Sequence, residues 1–172
     1  RSARHINHIV STEVFQDAGI HAEFRTSPIA HGNSGLYIHG HYEMQIYDSF
    51  GVKQITQQDE GSLYRFKKPL VNAARPTGDW QVYDIRFIAP RRDKDDQILS
   101  QGIVKAWLNG KLVQDGATFT EPRSPYIPYK HGVTAHLKKV EQTLKETGQG
   151  PLFLQDHGSP VKFRNVWIKR LD

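Results

Sequence analysis

Residues 36–47, LYIHGHYEMQIY, put Tyr37, His39, His41, Glu43, Gln45 and Tyr47 on one parity and Leu36, Ile38, Met44 and Ile46 on the other. Successive side chains of a strand point to opposite faces, so the spacing predicts one strand with an apolar face and a chemically loaded one. A solvated strand face ordinarily carries Thr, Lys, Ser and Glu. Rings stack on the faces of sugars and planar polar groups take paired hydroxyls, so this set suits a small carbohydrate. The alternative is an edge strand with an unusual polar face. His39, His41 and Glu43, spaced i, i+2, i+4, are also donor types that one divalent ion accepts. Histidines that bond substrate or each other are the competing reading.

Glu43-Met44-Gln45-Ile46-Tyr47-Asp48 has the form E-x-Q-x-x-D. It resembles a relaxed copy of the E-x-D-x-x-E strand motif of jelly-roll glucanases, which use two carboxylates on one face, about 5 Å apart, for retaining glycoside hydrolysis. Here the middle carboxylate is an amide and Asp48 lies on the other parity unless a bulge intervenes. A double-carboxylate mechanism is therefore not expected. Gln155-Asp156-His157-Gly158 ends a second apolar run. Either His157 or Asp156 acts there singly, since adjacent strand side chains point apart, or Asp156 caps a turn.

The elements that must carry these groups are mostly strands. Ile20, Ala22 and Phe24 alternate with His21, Glu23 and Arg25; Tyr83, Ile85, Phe87 and Ala89 alternate with Asp84 and Arg86. Ile103–Leu108, Asn109-Gly110 and Lys111–Gln114 read as a hairpin with a two-residue turn, whose positions both need positive φ. Further strands are expected at Leu152–Gln155 and Val161–Ile168. Many short strands with turn signals between them predict an antiparallel β-sandwich, with Phe24, Ile38, Met44, Ile46, Ile85, Phe87 and Trp167 buried. One stretch departs from alternation. Pro122, Pro125 and Pro128 mark an irregular loop, after which Val133, Leu137, Val140 and Leu144 recur at helical spacing. This predicts a short amphipathic helix near 132–146, closed by Gly148.

The chain has 172 residues, 37% hydrophobic, which excludes wholesale disorder and reads as a single domain over 1–172. It has no cysteine, so disulfides, thiolate metal sites and a cysteine nucleophile drop out together. No apolar run approaches the roughly 20 residues of a membrane-spanning helix. The 23 basic and 18 acidic residues give a charge of +5, spread along the chain, and no nucleic-acid partner is expected. Oligomeric state is left open.

Taken together, Asn33-Ser34-Gly35-Leu36-Tyr37-Ile38, Tyr42-Glu43-Met44-Gln45-Ile46 with Asp48-Ser49, Asn72-Ala73-Ala74-Arg75-Pro76, Gly78-Asp79-Trp80-Gln81, Asn109-Gly110 and Leu154-Gln155-Asp156-His157-Gly158 through Phe163-Arg164-Asn165-Val166-Trp167 resemble the 3-keto-disaccharide hydrolase family. The resemblance runs from about 9 to 171. It implies a concanavalin-like jelly-roll and a glycosyl hydrolase acting on glycosides oxidised at C3. It also implies an exported protein, periplasmic or extracellular. His39 and His41 stand where members tend to carry Arg or Gln, and members usually begin with another strand or two before Ile9. A C3 ketone acidifies the C2 proton, so one base and one enolate stabiliser suffice for elimination of the C1 substituent followed by hydration. On this reading Glu43 or His157 is the base. His39, His41 or a divalent metal held by His39, His41 and Glu43 polarises the ketone. Tyr37, Gln45, Asn72 and Asp156 hold the sugar, and Asn33, Gly35, Arg75, Trp80 and Asn165 are structural. The alternative is a carbohydrate-binding module without turnover.

Overall fold

The computed structural model describes residues 8–28, 31–130 and 134–172. Its alternating runs become β1 (Ile9–Phe15), β2 (Ala18–Arg25), β3 (Asn33–Ile38), β4 (Tyr42–Tyr47), β5 (Gln81–Ile88), the short β6 (Arg91–Arg92) and β7 (Ile98–Ser100), β8 (Gly102–Leu108) and β9 (Lys111–Phe119). After one helix, α1 (Ala135–Thr147), come β10 (Gly150–Leu154) and β11 (Lys162–Arg170). A four-stranded sheet in the order β1-β10-β3-β4 packs on a five-stranded one in the order β11-β2-β5-β8-β9, and β6 pairs with β7. All the pairings are antiparallel, and the architecture is a jelly-roll β-sandwich.

Leu36, Ile38, Met44 and Ile46 of the smaller sheet meet Ile20, Phe24, Ile85 and Phe87 of the larger one, all at 4% exposure or less. Burying each such side chain contributes about 1.5–3 kcal/mol. The hairpin forms at Asn109-Gly110 with φ of 53° and 76°, the left-handed pair that a two-residue turn demands. Helix α1 begins later than position 132. Thr134 is its N-cap and accepts from the Leu137 amide at 3.2 Å, while Gly148 closes it at φ 70°. Gly132 and Val133 lie outside the described residues.

Two expectations are corrected. Residues 36–47 are a hairpin, in which β3 turns through His39, Gly40 and His41 into β4, with Ile38 opposite Tyr42. Trp167 is 51% exposed, not buried. A bulge in β11 shifts the register between Arg164 and Trp167, and Asn165 sits there at φ 49°. The extra residue reverses parity, so Ile168 packs against the core and Trp167 turns outward.

The outward face of the smaller sheet is not left to solvent. Tyr37 and Phe153 form a second apolar cluster with Ile127 and Tyr129 from the irregular segment after β9 and with Leu137 and Leu144 of α1.

Candidate active site

The hairpin register sets the site. Across β3 and β4, Tyr37 lies opposite Glu43 and Gly35 opposite Gln45. On the other flank of β3, Phe153 lies opposite Tyr37, and the Gln155 amide donates to the Gly35 carbonyl at 3.0 Å. Two rows therefore cross the outward face, Phe153–Tyr37–Glu43 and Gln155–Gly35–Gln45. Gly35 has no side chain, and the Glu43 carboxylate leans into the space this leaves. A Cβ at residue 35 would come within 2.5 Å of Glu43 Oε1. Here glycine is required by close approach.

Tyr37 Oη donates to Glu43 Oε2 at 2.6 Å, lies 3.3 Å from Ser124 Oγ, and accepts from Gln155 Nε2 at 3.4 Å. Gln45 Nε2 donates to the Gln58 carbonyl at 3.1 Å. The amide oxygens of Gln45 and Gln155 are buried and take no hydrogen bond from any of the described residues. Glu43 is 5% exposed and Tyr37 0%. Burial raises the Glu43 carboxyl to about 7, against a smaller lowering by the Tyr37 hydrogen bond. Burial, then the neighbouring Glu43 charge, pushes the Tyr37 phenol up. The result is a carboxyl poised between acid and base near neutral pH, held by a phenol that remains protonated.

Along the edge of β4, the Tyr64 amide donates to the Glu43 carbonyl at 2.9 Å and the Gln45 amide to the Ser62 carbonyl at 3.1 Å. This fixes the strand that carries both side chains. Over the face runs the segment after β9. It sets Ser124 against Tyr37 and packs Ile127 and Tyr129 with Tyr37 and Phe153, and its start is tied at the sheet edge, where Tyr42 Oη donates to the Thr120 carbonyl at 2.9 Å.

The structure brings Tyr37, Glu43 and Gln45 together and sends the other nominated residues elsewhere. His39 is in the turn, with its ring 5.1 Å from Phe15 and 4.9 Å from Phe87 and its Nε2 unpartnered. His41 packs edge-on against Tyr42 and Tyr129. Burial lowers both imidazoles to about 4, so both are neutral. The turn thus breaks the i, i+2, i+4 set, and His39, His41 and Glu43 are not a ligand group. Among the described residues no three His, Cys, Asp or Glu side chains are arranged to hold a metal. His39 and His41 instead line a separate cleft of about 750 Å³ with Tyr42, Arg91, Lys94 and Lys145, which does not include Glu43.

Asn72 is a loop clamp. Its amide donates to the carbonyls of Ser49 and Val52, and its oxygen accepts from Ala74 N. Asp156 Oδ1 accepts from Gly158 N at 2.9 Å, the capping arrangement of a turn, and His157 is exposed beside it. Asp48 lies just past β4 and accepts from Thr26 and Thr77, away from Glu43. Two members of the site carried no assignment from sequence. Gln155 was recoverable, because it shares parity with Phe153 along β10. Ser124 sits in an irregular segment and gives no such signal.

Residues 1–169 match the family described as 3-keto-alpha-glucoside-1,2-lyase-like domain. Among solved structures, a "putative glycosyl hydrolase" from Parabacteroides distasonis ATCC 8503 is 29% identical with a TM-score of 0.77, covering 95% of this chain and 68% of its own. Two more from the same organism, under the same description, are 22% and 19% identical with TM-scores of 0.62 and 0.61. They cover 100% and 96% of this chain and 78% and 84% of their own, and at that identity they speak to fold alone. No curated protein matches.

Proposed function

Because the chain belongs to the 3-keto-alpha-glucoside-1,2-lyase-like domain family, we propose that it cleaves glycosidic bonds of sugars oxidised at C3, with Glu43 as the base that removes the C2 proton. The observation that carries the assignment is the Glu43 carboxyl itself. It is buried, raised to about 7, and held by Tyr37 at 2.6 Å. A base with a pKa near the working pH is half available and still strong enough to take a carbon acid's proton.

The C2 proton passes to Glu43, and the electron pair of the C2–H bond delocalises onto the C3 oxygen as an enolate. The enolate collapses, C3=O reforms, C1=C2 forms, and the C1–O bond breaks. The leaving alkoxide takes a proton from the Glu43 carboxyl or from water. Water then adds across C1=C2, so the net change is hydrolysis. Tyr37 donates its one proton to the Glu43 carboxylate before abstraction, and once Glu43 is protonated that proton is free to turn to the enolate oxygen. The unpartnered amide oxygens of Gln45 and Gln155 are acceptors for sugar hydroxyls. Glu43 is 5% exposed and Ser124 lies against Tyr37, so this proposal requires the segment carrying Ser124 to give way to the sugar. This route needs one carboxylate, in keeping with a strand that has Gln45 and Asp48 where glucanases have acids. The reading includes an exported location, periplasmic or extracellular.

The cover over the Glu43 carboxyl is also the one observation that favours a second reading, in which a glycan binds elsewhere on the chain without turnover. The test is sugar release from a 3-keto glycoside and from its unoxidised parent. Release from the first alone supports elimination, release from both indicates ordinary hydrolysis, and release from neither leaves binding.

A further inference from the structure

All three tryptophans of the chain, Trp80, Trp107 and Trp167, lie on the outward face of the five-stranded sheet, on the opposite side of the sandwich from Glu43. The register lines them up. Trp167 lies opposite His21, His21 opposite Asp84, and Asp84 opposite Trp107, so one row crosses four strands. The Trp167 and His21 rings stack at 5.1 Å with 5° between their planes, and His21 Nδ1 is 2.7 Å from Asp84 Oδ1. At about 4.8 Å per strand, the two indoles stand about 14 Å apart, a span of two to three pyranose rings.

A second row runs beside the first, two residues along each strand. Lys169 lies opposite Gly19, Gly19 opposite Arg86, and Arg86 opposite Lys105. Lys105 pairs with Asp115 at 3.0 Å. Among the described residues no hydrogen bond or ion pair engages the side chains of Lys169 and Arg86. Gly19 leaves the middle of this cationic row open. Trp80 closes one corner beneath Arg164, whose guanidinium carbon is 3.9 Å from the ring centre. A paired carboxylate and imidazole between two indoles take hydroxyls, and the two free cations of the adjoining row, Lys169 and Arg86, take acid groups on one side of the same chain.

We propose that this face is a second carbohydrate site, which binds a linear acidic glycan laid across the strands with its rings on the Trp167–His21–Asp84–Trp107 row and its acid groups on Lys169 and Arg86. It is independent of the reaction at Glu43.

Because every tryptophan is on this face, tryptophan fluorescence, excited selectively so that the seven tyrosines stay dark, reports on it alone. The experiment titrates the protein with polygalacturonate, with dextran as a neutral polysaccharide and with oligo-dT as a nucleic-acid polyanion. The expected result is a saturable fluorescence change with polygalacturonate that weakens with salt and is absent with dextran. Glu43→Gln retains it. Trp167→Ala and Lys169→Ala/Arg86→Ala each weaken binding about tenfold or more, the loss expected of a central anchor. Thermal melts establish that the variants are folded, and Trp107→Phe, which keeps a ring, binds within a few-fold of wild type. No response to polygalacturonate overturns the proposal. So does equal or tighter binding of oligo-dT, or binding that survives loss of Trp167 in a folded variant.

Discussion

Replacing Glu43 by Gln should stabilise the protein at alkaline pH while removing its base. The Glu43 carboxyl is raised from 4.5 to about 7 by burial, so the folded chain holds this proton more tightly than the unfolded chain. A raised carboxyl contributes stability that is fully present below pH 4.5 and is lost as pH rises through 7. The gap corresponds to about 3 kcal/mol at about 1.4 kcal/mol per pH unit. For a chain of this length that is roughly 6–12 °C in Tm. The amide keeps an acceptor for the Tyr37 hydroxyl but never ionises, so the penalty above pH 7 disappears. His39 and His41 titrate alike in both proteins and cancel in the difference. The assay is calorimetry of wild type and Glu43→Gln from pH 4.5 to 9. The expected result is near-equal melting at pH 4.5 and a mutant advantage that grows through pH 7 and levels off by 8.5. A difference that stays constant across the range would show that the carboxyl is not desolvated, and the argument for its role as base would fall with it.

Three further outcomes are expected. Tyr37→Phe removes the hydrogen bond that favours the Glu43 carboxylate, worth about 1.5–3 kcal/mol, so the acid limb of kcat/KM on a 3-keto glycoside moves up by about 1–2 pH units; an unmoved limb would detach Tyr37 from the base. Gly35→Ala puts a methyl 2.5 Å from Glu43 Oε1, and should cost about 1–3 kcal/mol of stability from overpacking, together with most of the activity, as read by melting and rate. Asn109→Ala breaks the bonds its side chain makes to the Val82 amide, the Ala73 carbonyl and Gln81, and leaves alanine at φ 53°. It should lose about 2–4 kcal/mol in denaturant melts without moving the pH profile.

Much of the sandwich was legible because strand alternation records burial directly. Phe24, Ile85 and Phe87 are inside as their parity requires, and Asn109-Gly110 states its turn in its own chemistry. The β3–β4 hairpin was hidden by the same rule. Its turn has three residues, so Ile38 faces Tyr42 and the pairing preserves parity. The alternation continues unbroken through His39, Gly40 and His41, and a hairpin imitates one long strand. That imitation put Tyr37, Glu43 and Gln45 on the one face they share, since opposed residues share a face, but it also drew in the turn histidines. Trp167 was misplaced by a single bulge residue that composition does not announce. Gln155 and Ser124 joined the site through contacts 118 and 87 residues away in sequence, which no local pattern carries.

The central claim is that cleavage begins with loss of the C2 proton to Glu43. The most direct measurement is turnover of a 3-keto glycoside deuterated at C2, compared with its protiated form, in wild type and Glu43→Gln. The account predicts a primary isotope effect or washout of the label into water with wild type, and a rate about 10²–10⁴ lower with the amide. Cleavage with no isotope effect and with the label retained at C2, or a Glu43→Gln enzyme near wild-type rate, would contradict it.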